Sequence, residues 1–189
     1  ELSDDARQQA TQILMAGLYD AHDRERFELV AVDNGYNDSS PMRTRLEKSF
    51  DQWIDISALS DEDAAANIRA AQIDILVNLN GYFGEGRTNV FARRAAPIQV
   101  NYLGFPGTMG ATYMDYIVAD RRVIPEADRS CYEEKVVYLP NCYQANDRKR
   151  RVAETVFDRA SFGLPVDGFV FCCFNNNYKI MPAMFDCWV

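Results

Sequence analysis

The chain contains one histidine (His22), no Cys-x-x-Cys pair and no apolar run approaching the roughly 20 residues that cross a bilayer. The cysteine spacing argues against a zinc cluster, and the short apolar runs argue against a membrane partner. Positive charge is in deficit as well. Twenty Lys and Arg stand against 28 Asp and Glu, a formal charge of −8, which argues against general affinity for nucleic acid. The densest basic stretch, Arg148-Lys149-Arg150-Arg151, lies between Asp147 and Glu154 and reads as a solvated loop or helix edge. No Gly-x-Gly-x-x-Gly follows an early strand, so a dehydrogenase-type dinucleotide site is not expected. Five cysteines with no signal peptide fit a reducing cytoplasm, and the Asn37-Asp38-Ser39 sequon is then coincidence. Cys172 and Cys173 lie inside an apolar run and read as small core residues.

Apolar residues make up 48% of the chain, a normal content for a protein with a real core. They fall into alternating strand and helix patterns. Asp4 to Ala21 places Ala10, Ile13, Leu14, Gly17 and Leu18 along one helical stripe. Strands are expected at Arg26–Asp33, Trp53–Ile56, Ile73–Leu79, Ile98–Leu103, Tyr116–Ala119 and Lys135–Leu139. Helices are expected at Met42–Phe50, Ser60–Ala71 and Arg87–Arg94, the second opened by a capping pair, Ser60 and Asp63. Ile73–Leu79 is almost continuously apolar, as in a parallel strand covered on both faces. The alternation predicts a doubly wound α/β sheet.

The most informative stretch is Ile98 to Asp120, where an apolar run breaks into a loop holding Gly104, Pro106, Gly107 and Gly110. Open α/β sheets bind ligands at such strand ends, and glycine lets the backbone approach a ligand and present its N–H groups. A plain tight turn would look the same.

Residues 1–140 read as a first Rossmann-like domain and residues 141–164, charged and poor in β-branched residues, as a linker. A strand expected at Phe169 (FVFCCFN) and a helix near Pro182 make residues 165–189 the start of a second α/β half. One strand cannot bury its own faces, and the helix at Asp4 has no expected strand before it. The reading is of a fragment whose first strand is missing and which has no transferase activity by itself.

Three blocks, Asp74–Tyr82 (DILVNLNGY), Ala96–Asp120 (APIQVNYLGFPGTMGATYMDYIVAD) and Phe169–Lys179 (FVFCCFNNNYK) with Pro182, resemble the catalytic region of the protein O-GlcNAc transferases. The likeness is greatest to SPINDLY-like and bacterial members associated with tetratricopeptide repeats. Leu14–Glu28, Tyr132–Pro140 and Tyr143–Asp147 are similar to the same family, so the resemblance covers essentially the whole chain. It implies a GT-B arrangement of two Rossmann-like halves. It also implies transfer of N-acetylglucosamine from UDP-GlcNAc to Ser or Thr hydroxyls of protein acceptors, with inversion and without a metal or other cofactor.

By position, the resemblance assigns Leu103, Gly104 and Pro106 to the donor-sugar pocket. Lys179 corresponds to the lysine that contacts the diphosphate, where a cation offsets the charge that builds as the glycosidic bond breaks. Asn176 corresponds to a donor contact that is often glutamine in eukaryotic relatives. The family also has an Asp-Phe-x-x-His motif, with a Thr two residues after the His, at the start of the amino-terminal helix. Here Asp5 and Thr11 match, but Gln9 stands at the histidine position.

An amide cannot act as a general base near neutral pH. Three explanations stay open: Gln9 imitates a positioning histidine, Asp5 or the donor phosphate takes the proton, or catalysis is weakened. Gln9 motivates a scaffold role as a second reading, and a related transferase using another UDP-sugar or acceptor also stands beside the leading one, since nothing in this stretch decides the sugar. His22 reads as a helix-end residue favoured by the dipole. Asn80, Tyr82 and Arg87 read as loop-packing or substrate-contacting residues at a strand end.

Overall fold

Alternating apolar runs pair into seven parallel strands among the residues described, which in this computed structural model are 2–3, 10–35, 37–84, 86–150, 154–174 and 176–188. They are β1 (Leu2–Ser3), β2 (Val30–Asp33), β3 (Gln52–Asp55), β4 (Ile75–Asn78), β5 (Ile98–Tyr102), β6 (Tyr116–Ala119) and β7 (Lys135–Tyr138). Their spatial order is β3-β2-β1-β4-β5-β6-β7. All belong to the first of two compact units, Glu1–Arg150; the second is Arg151–Val189.

Four helices lie in the connections: α1 (Ala10–Asp20), α2 (Pro41–Ser49), α3 (Asp61–Ala70) and α4 (Thr88–Ala92). Two of their starts carry side-chain caps, of which the one at Ser60 is expected from the sequence. Ser40 Oγ accepts from the Arg43 N–H at 3.1 Å, and Pro41 fills the first helical position, where no donor is needed. Ser60 Oγ accepts from the Asp63 N–H at 3.1 Å and donates to its carboxylate at 2.7 Å.

The helices divide between the two faces of the sheet. On one face, Ala64, Ala65 and Ile68 of α3 and Val90 and Phe91 of α4 bury Val32 and Leu76. On the other, Met15, Ala16 and Tyr19 of α1 and Leu46 of α2 bury Leu79, Tyr102 and Leu103. Each such large side chain contributes about 1.5–3 kcal/mol through burial. The expected doubly wound sheet is the observed one.

Strand β1 corrects one expectation, because the first strand is not missing. Leu2 pairs with both Val32 and Asn78, and Ser3 pairs with Asp33. Two residues are too few to show a period of two, so the pattern could not reveal them. Their position matters, since β1 and β4 flank the point where the strand order reverses. At such a point, connections leave in opposite directions and open a ligand site beyond the carboxyl ends.

The first unit extends past Leu139 by packing its tail against α1 and α2. Tyr102 donates from its hydroxyl to the Tyr143 carbonyl at 2.7 Å, and Arg45 pairs with Asp147 at 2.6 Å. The second unit contains 3₁₀ turns at Ala160–Phe162 and Asn177–Lys179 and a helix α5 (Pro182–Trp188). Phe169–Phe174 forms no strand, contrary to the sequence pattern, and Cys172 and Cys173 are exposed rather than core residues. No neighbouring strand among this unit's described residues supplies partners for that backbone, and the side chains of Phe169, Phe171 and Phe174 are exposed.

Candidate functional site

The loops leaving β4 and β5 meet at the carboxyl edge beside the reversal point. Asn78, the buried last residue of β4, folds its side chain upward so that Oδ1 accepts from the N–H groups of Asn80 and Gly81, both at 3.0 Å. Gly81 adopts φ +59°. A Cβ there would lie 2.5 Å from Phe105 Cβ, so the turn after β4 and the loop after β5 touch where only glycine fits.

Beyond β5 the chain makes a three-residue turn centred on Leu103, with the Gly104 N–H donating to the Tyr102 carbonyl at 3.0 Å. Leu103 has φ +71°, an unfavourable conformation for a residue with a β-carbon, costing on the order of 1–3 kcal/mol. Burial of the Leu103 side chain with Leu79, Tyr102 and the α1–α2 layer offsets this strain. The turn presses the Gly104 backbone against the carbonyl of Leu79, and Pro106 emerges exposed at the crest.

Side chains from both strands hold this loop. Asn101, on β5 in register with Asn78, donates from Nδ2 to the carbonyls of Phe105 and Gly107 at 3.1 and 3.4 Å. Tyr82 donates its hydroxyl proton to the Met109 carbonyl at 2.6 Å and meets the Phe105 ring edge-on at 5.8 Å.

Arg87 is consumed by loop packing. Nε donates to Asp61 at 2.8 Å, and the two terminal nitrogens donate to Asn34 Oδ1 and the carbonyls of Ile56 and Leu59 at 2.8–3.1 Å. It ties together the loops after β2 and β3 and the start of α3. Burial by itself would raise the Asp61 carboxyl, but the Arg87 guanidinium outweighs it and holds the group below its ordinary range. The acid at the end of β2 is Asp33, where a dinucleotide-binding sheet keeps a ribose-binding carboxylate. Here it is buried and paired with Arg43 at 2.5 Å, so it is not free for a ribose.

The structure thus brings Leu103, Gly104 and Pro106 together with Asn80 and Tyr82. Thr11 lies half-buried on α1, and Asp5 and Gln9 fall outside the described residues. Asn176 and Lys179 belong to the second unit, both exposed, with the Asn176 carbonyl accepting from the Lys179 N–H at 3.0 Å. His22 donates from Nδ1 to the Leu18 carbonyl at 2.8 Å, which makes it a helix-end residue. Sequence reasoning missed Asn78 and Asn101 as organisers of the loops; their signal was an amide within each apolar strand.

A cavity of about 280 Å³ opens at the opposite, amino-terminal edge of the sheet, lined by Ile98, Tyr116, Lys135 and neighbours, none of them singled out from sequence. Among the described residues, no cluster of three or more His, Cys, Asp or Glu could hold a metal ion, and no helix is long and apolar enough to cross a membrane.

Comparison with known proteins agrees with this architecture. The sequence profile of Glycosyl transferase family 41 matches residues 1–155. The probable UDP-N-acetylglucosamine–peptide N-acetylglucosaminyltransferase SEC of Arabidopsis thaliana is 41% identical over 181 residues, covering 93% of this chain and 18% of that protein. The UDP-N-acetylglucosamine–peptide N-acetylglucosaminyltransferase of Caenorhabditis elegans is 36% identical over 147 residues, covering 77% and 13% respectively. A mutant O-GlcNAc transferase from Thermobaculum terrenum superposes with a TM-score of 0.73 at 33% identity, over 76% of this chain and 27% of that one. The chain therefore spans less than a fifth of the length of these curated relatives, and its sheet matches one half of a GT-B glycosyltransferase.

Proposed function

We infer the function from the family, because the chain belongs to glycosyl transferase family 41. The proposed activity is inverting transfer of N-acetylglucosamine from UDP-GlcNAc to Ser or Thr hydroxyls of protein acceptors, with this chain supplying part of the catalytic region. The observation that carries the proposal is the 41% identity sustained over 93% of the chain. Its geometric support is the pair of loops pressed together beside the reversal point of the sheet, with Asn80, Gly81, Leu103 and Gly104 at their contact.

In this reading Leu103, Gly104 and Pro106 form a wall against the donor sugar, and the strained turn at Leu103 fixes that wall before substrate arrives. Asn176 and Lys179 serve the nucleotide side. The lysine ammonium offsets charge that develops on the departing diphosphate, so no metal ion is assigned a role. Asp5, Gln9 and Thr11, at the start of the first helical stripe, serve the acceptor hydroxyl. Gln9 can orient that hydroxyl by hydrogen bonding but cannot hold its proton, which goes to Asp5 or to a donor phosphate oxygen.

The partners are UDP-GlcNAc and protein acceptors, with neither nucleic acid nor membrane. The compartment is the cytoplasm, supported by an odd number of cysteines without paired spacing, and tetratricopeptide repeats are assigned elsewhere in the polypeptide on the family pattern. Gln9 favours one second reading, a weakened enzyme that acts mainly as a scaffold.

The test incubates the full-length polypeptide with labelled UDP-GlcNAc and Ser/Thr peptides. Alkali-labile label on the peptide with equimolar UDP is the expected result. Equal transfer from UDP-glucose would move the donor assignment, and no transfer with intact peptide binding would favour the scaffold.

A further inference from the structure

We propose that Glu134 is a positioning residue for the donor-sugar loop, acting through Thr108. The proposal rests on the functional reading above, since it concerns the same loop.

Residues 105–110 have neither helix nor strand to satisfy their backbone, and buried backbone groups must find partners somewhere. They find them on side chains from separate parts of the sheet. Asn101 and Tyr82 take three carbonyls, as described above, and Tyr132 donates its hydroxyl proton to the Pro106 carbonyl at 3.2 Å. The remaining contacts converge on one carboxylate. Glu134 Oε1 accepts from the Met109 N–H at 2.6 Å, and Oε2 accepts from the Thr108 hydroxyl at 2.7 Å.

Glu134 is only 3% exposed, and no lysine or arginine among the described residues forms an ion pair with it. Burying a carboxylate is costly unless strong hydrogen bonds compensate, and a methionine or leucine would fill the space without that penalty. What the carboxylate supplies is an acceptor-only partner, and the Thr108 hydroxyl needs one. Its oxygen already accepts from the N–H groups of Gly110 at 2.9 Å and Glu133 at 3.4 Å. Its single proton must therefore point outward, and Glu134 receives it. An amide of the same shape would turn a donor toward an oxygen that is already fully used. Charge, rather than size, thus locks the loop.

A second observation indicates that the loop's shape takes precedence over local satisfaction. Asn101 is fully buried, and its Oδ1 has no hydrogen-bond partner although Nδ2 has two. The amide is oriented to serve the loop, and its own oxygen goes unmet. Together Asn101 and Glu134 hold opposite ends of the segment whose crest is Pro106. A wall fixed in this way accelerates transfer only if it is part of the donor site.

The test uses the full-length polypeptide and the variants Glu134→Gln, Thr108→Val and Thr108→Ser. Steady-state kinetics with UDP-GlcNAc and an acceptor peptide are combined with hydrogen exchange at single residues. Glu134→Gln and Thr108→Val should each lower kcat/KM for the donor roughly 10- to 100-fold and leave the acceptor KM within about twofold. Their double variant should be little worse than either alone, and Thr108→Ser, which keeps the hydroxyl, should stay near wild type. The amides of Met109 and Gly110 should exchange faster, while those of Val100 and Ile117 in the sheet do not.

Unchanged exchange at Met109 and Gly110, or donor and acceptor constants deteriorating together with a general loss of stability, would overturn the proposal. A wild type that neither binds nor turns over UDP-GlcNAc sinks the functional reading instead, and the exchange data still decide whether Glu134 holds the loop.

Discussion

The backbone of Gly104 rests on the carbonyl oxygen of Leu79, leaving no space for a β-carbon between the loop after β5 and the turn after β4. Any side chain at residue 104 has to push one loop off the other. Because the obstacle is backbone, no rotamer change relieves it. Gly104→Ala is expected to destabilise the first unit by about 1–3 kcal/mol and to weaken donor binding roughly 10-fold or more. Urea unfolding and calorimetric titration with UDP-GlcNAc check the two effects separately. Gly110, with open space around its missing side chain but φ +57°, provides the comparison: Gly110→Asn, compatible with that φ, should change neither by much.

Arg87 donates four hydrogen bonds to acceptors on three segments. A lysine keeps the charge but cannot spread a planar fork across them. Arg87→Lys is therefore expected to cost about 2–4 kcal/mol, nearly as much as Arg87→Ala, through the carbonyls and the Asp61 carboxylate left unpaired. The exposed neighbour Arg93→Ala should stay within about 0.5 kcal/mol. Comparable losses at both arginines in chemical denaturation would contradict this view of the loops.

Acid should loosen the tail of the first unit before its sheet. The Asp20 carboxyl sits at about 2, below its ordinary 3.8: burial alone would raise it, but hydrogen bonds from Lys149, Arg45 and Ser49 outweigh that. Asp147 is likewise held low by the Arg45 guanidinium. A lowered folded-state value stabilises the fold above the ordinary carboxyl range and loses that contribution as pH falls from about 3.8 towards about 2. Acid unfolding should accordingly be shallower for Asp20→Asn, which at neutral pH is already less stable than wild type. Identical acid limbs in the two proteins would exclude this network as the cause.

Much of this was legible in the sequence. The six longer strands and the helix cap at Ser60 follow from period, apolar runs and a side-chain oxygen placed before a helix, whereas the cap at Ser40 emerged only from the structure. β1 was not legible because Leu2–Ser3 is too short to show a pattern and is recognised only by its pairing. Phe169–Phe174 misled in the opposite way, since its β-forming composition is strong but strand structure requires a partner. At the site, the glycines after β5 marked the loop. Asn101 and Glu134, which hold it, sit in an apolar run and beside Glu133 respectively, and neither setting specifies a contact with the loop. Long-range side-chain-to-backbone bonds leave no periodic trace in a sequence.

Gln9 distinguishes two accounts of the chemistry. Gln9→His in the full-length polypeptide should change kcat less than about threefold if Asp5 or a donor phosphate takes the proton. A rise of roughly 100-fold, within the range general bases supply, with a new dependence on a group titrating near neutral pH, would show the natural protein to be a weakened enzyme. The pH profile of kcat/KM separates these results from a change in acceptor affinity.

The most direct measurement of the central claim is photo-crosslinking of the full-length polypeptide with a UDP-GlcNAc analogue bearing a diazirine on its N-acyl group, followed by peptide mapping. Adducts between Leu103 and Met109 or at Asn80–Tyr82 that unmodified UDP-GlcNAc suppresses are the expected result. UDP-GlcNAc-sensitive adducts confined to other segments would contradict the assignment of this loop as a wall of the donor site.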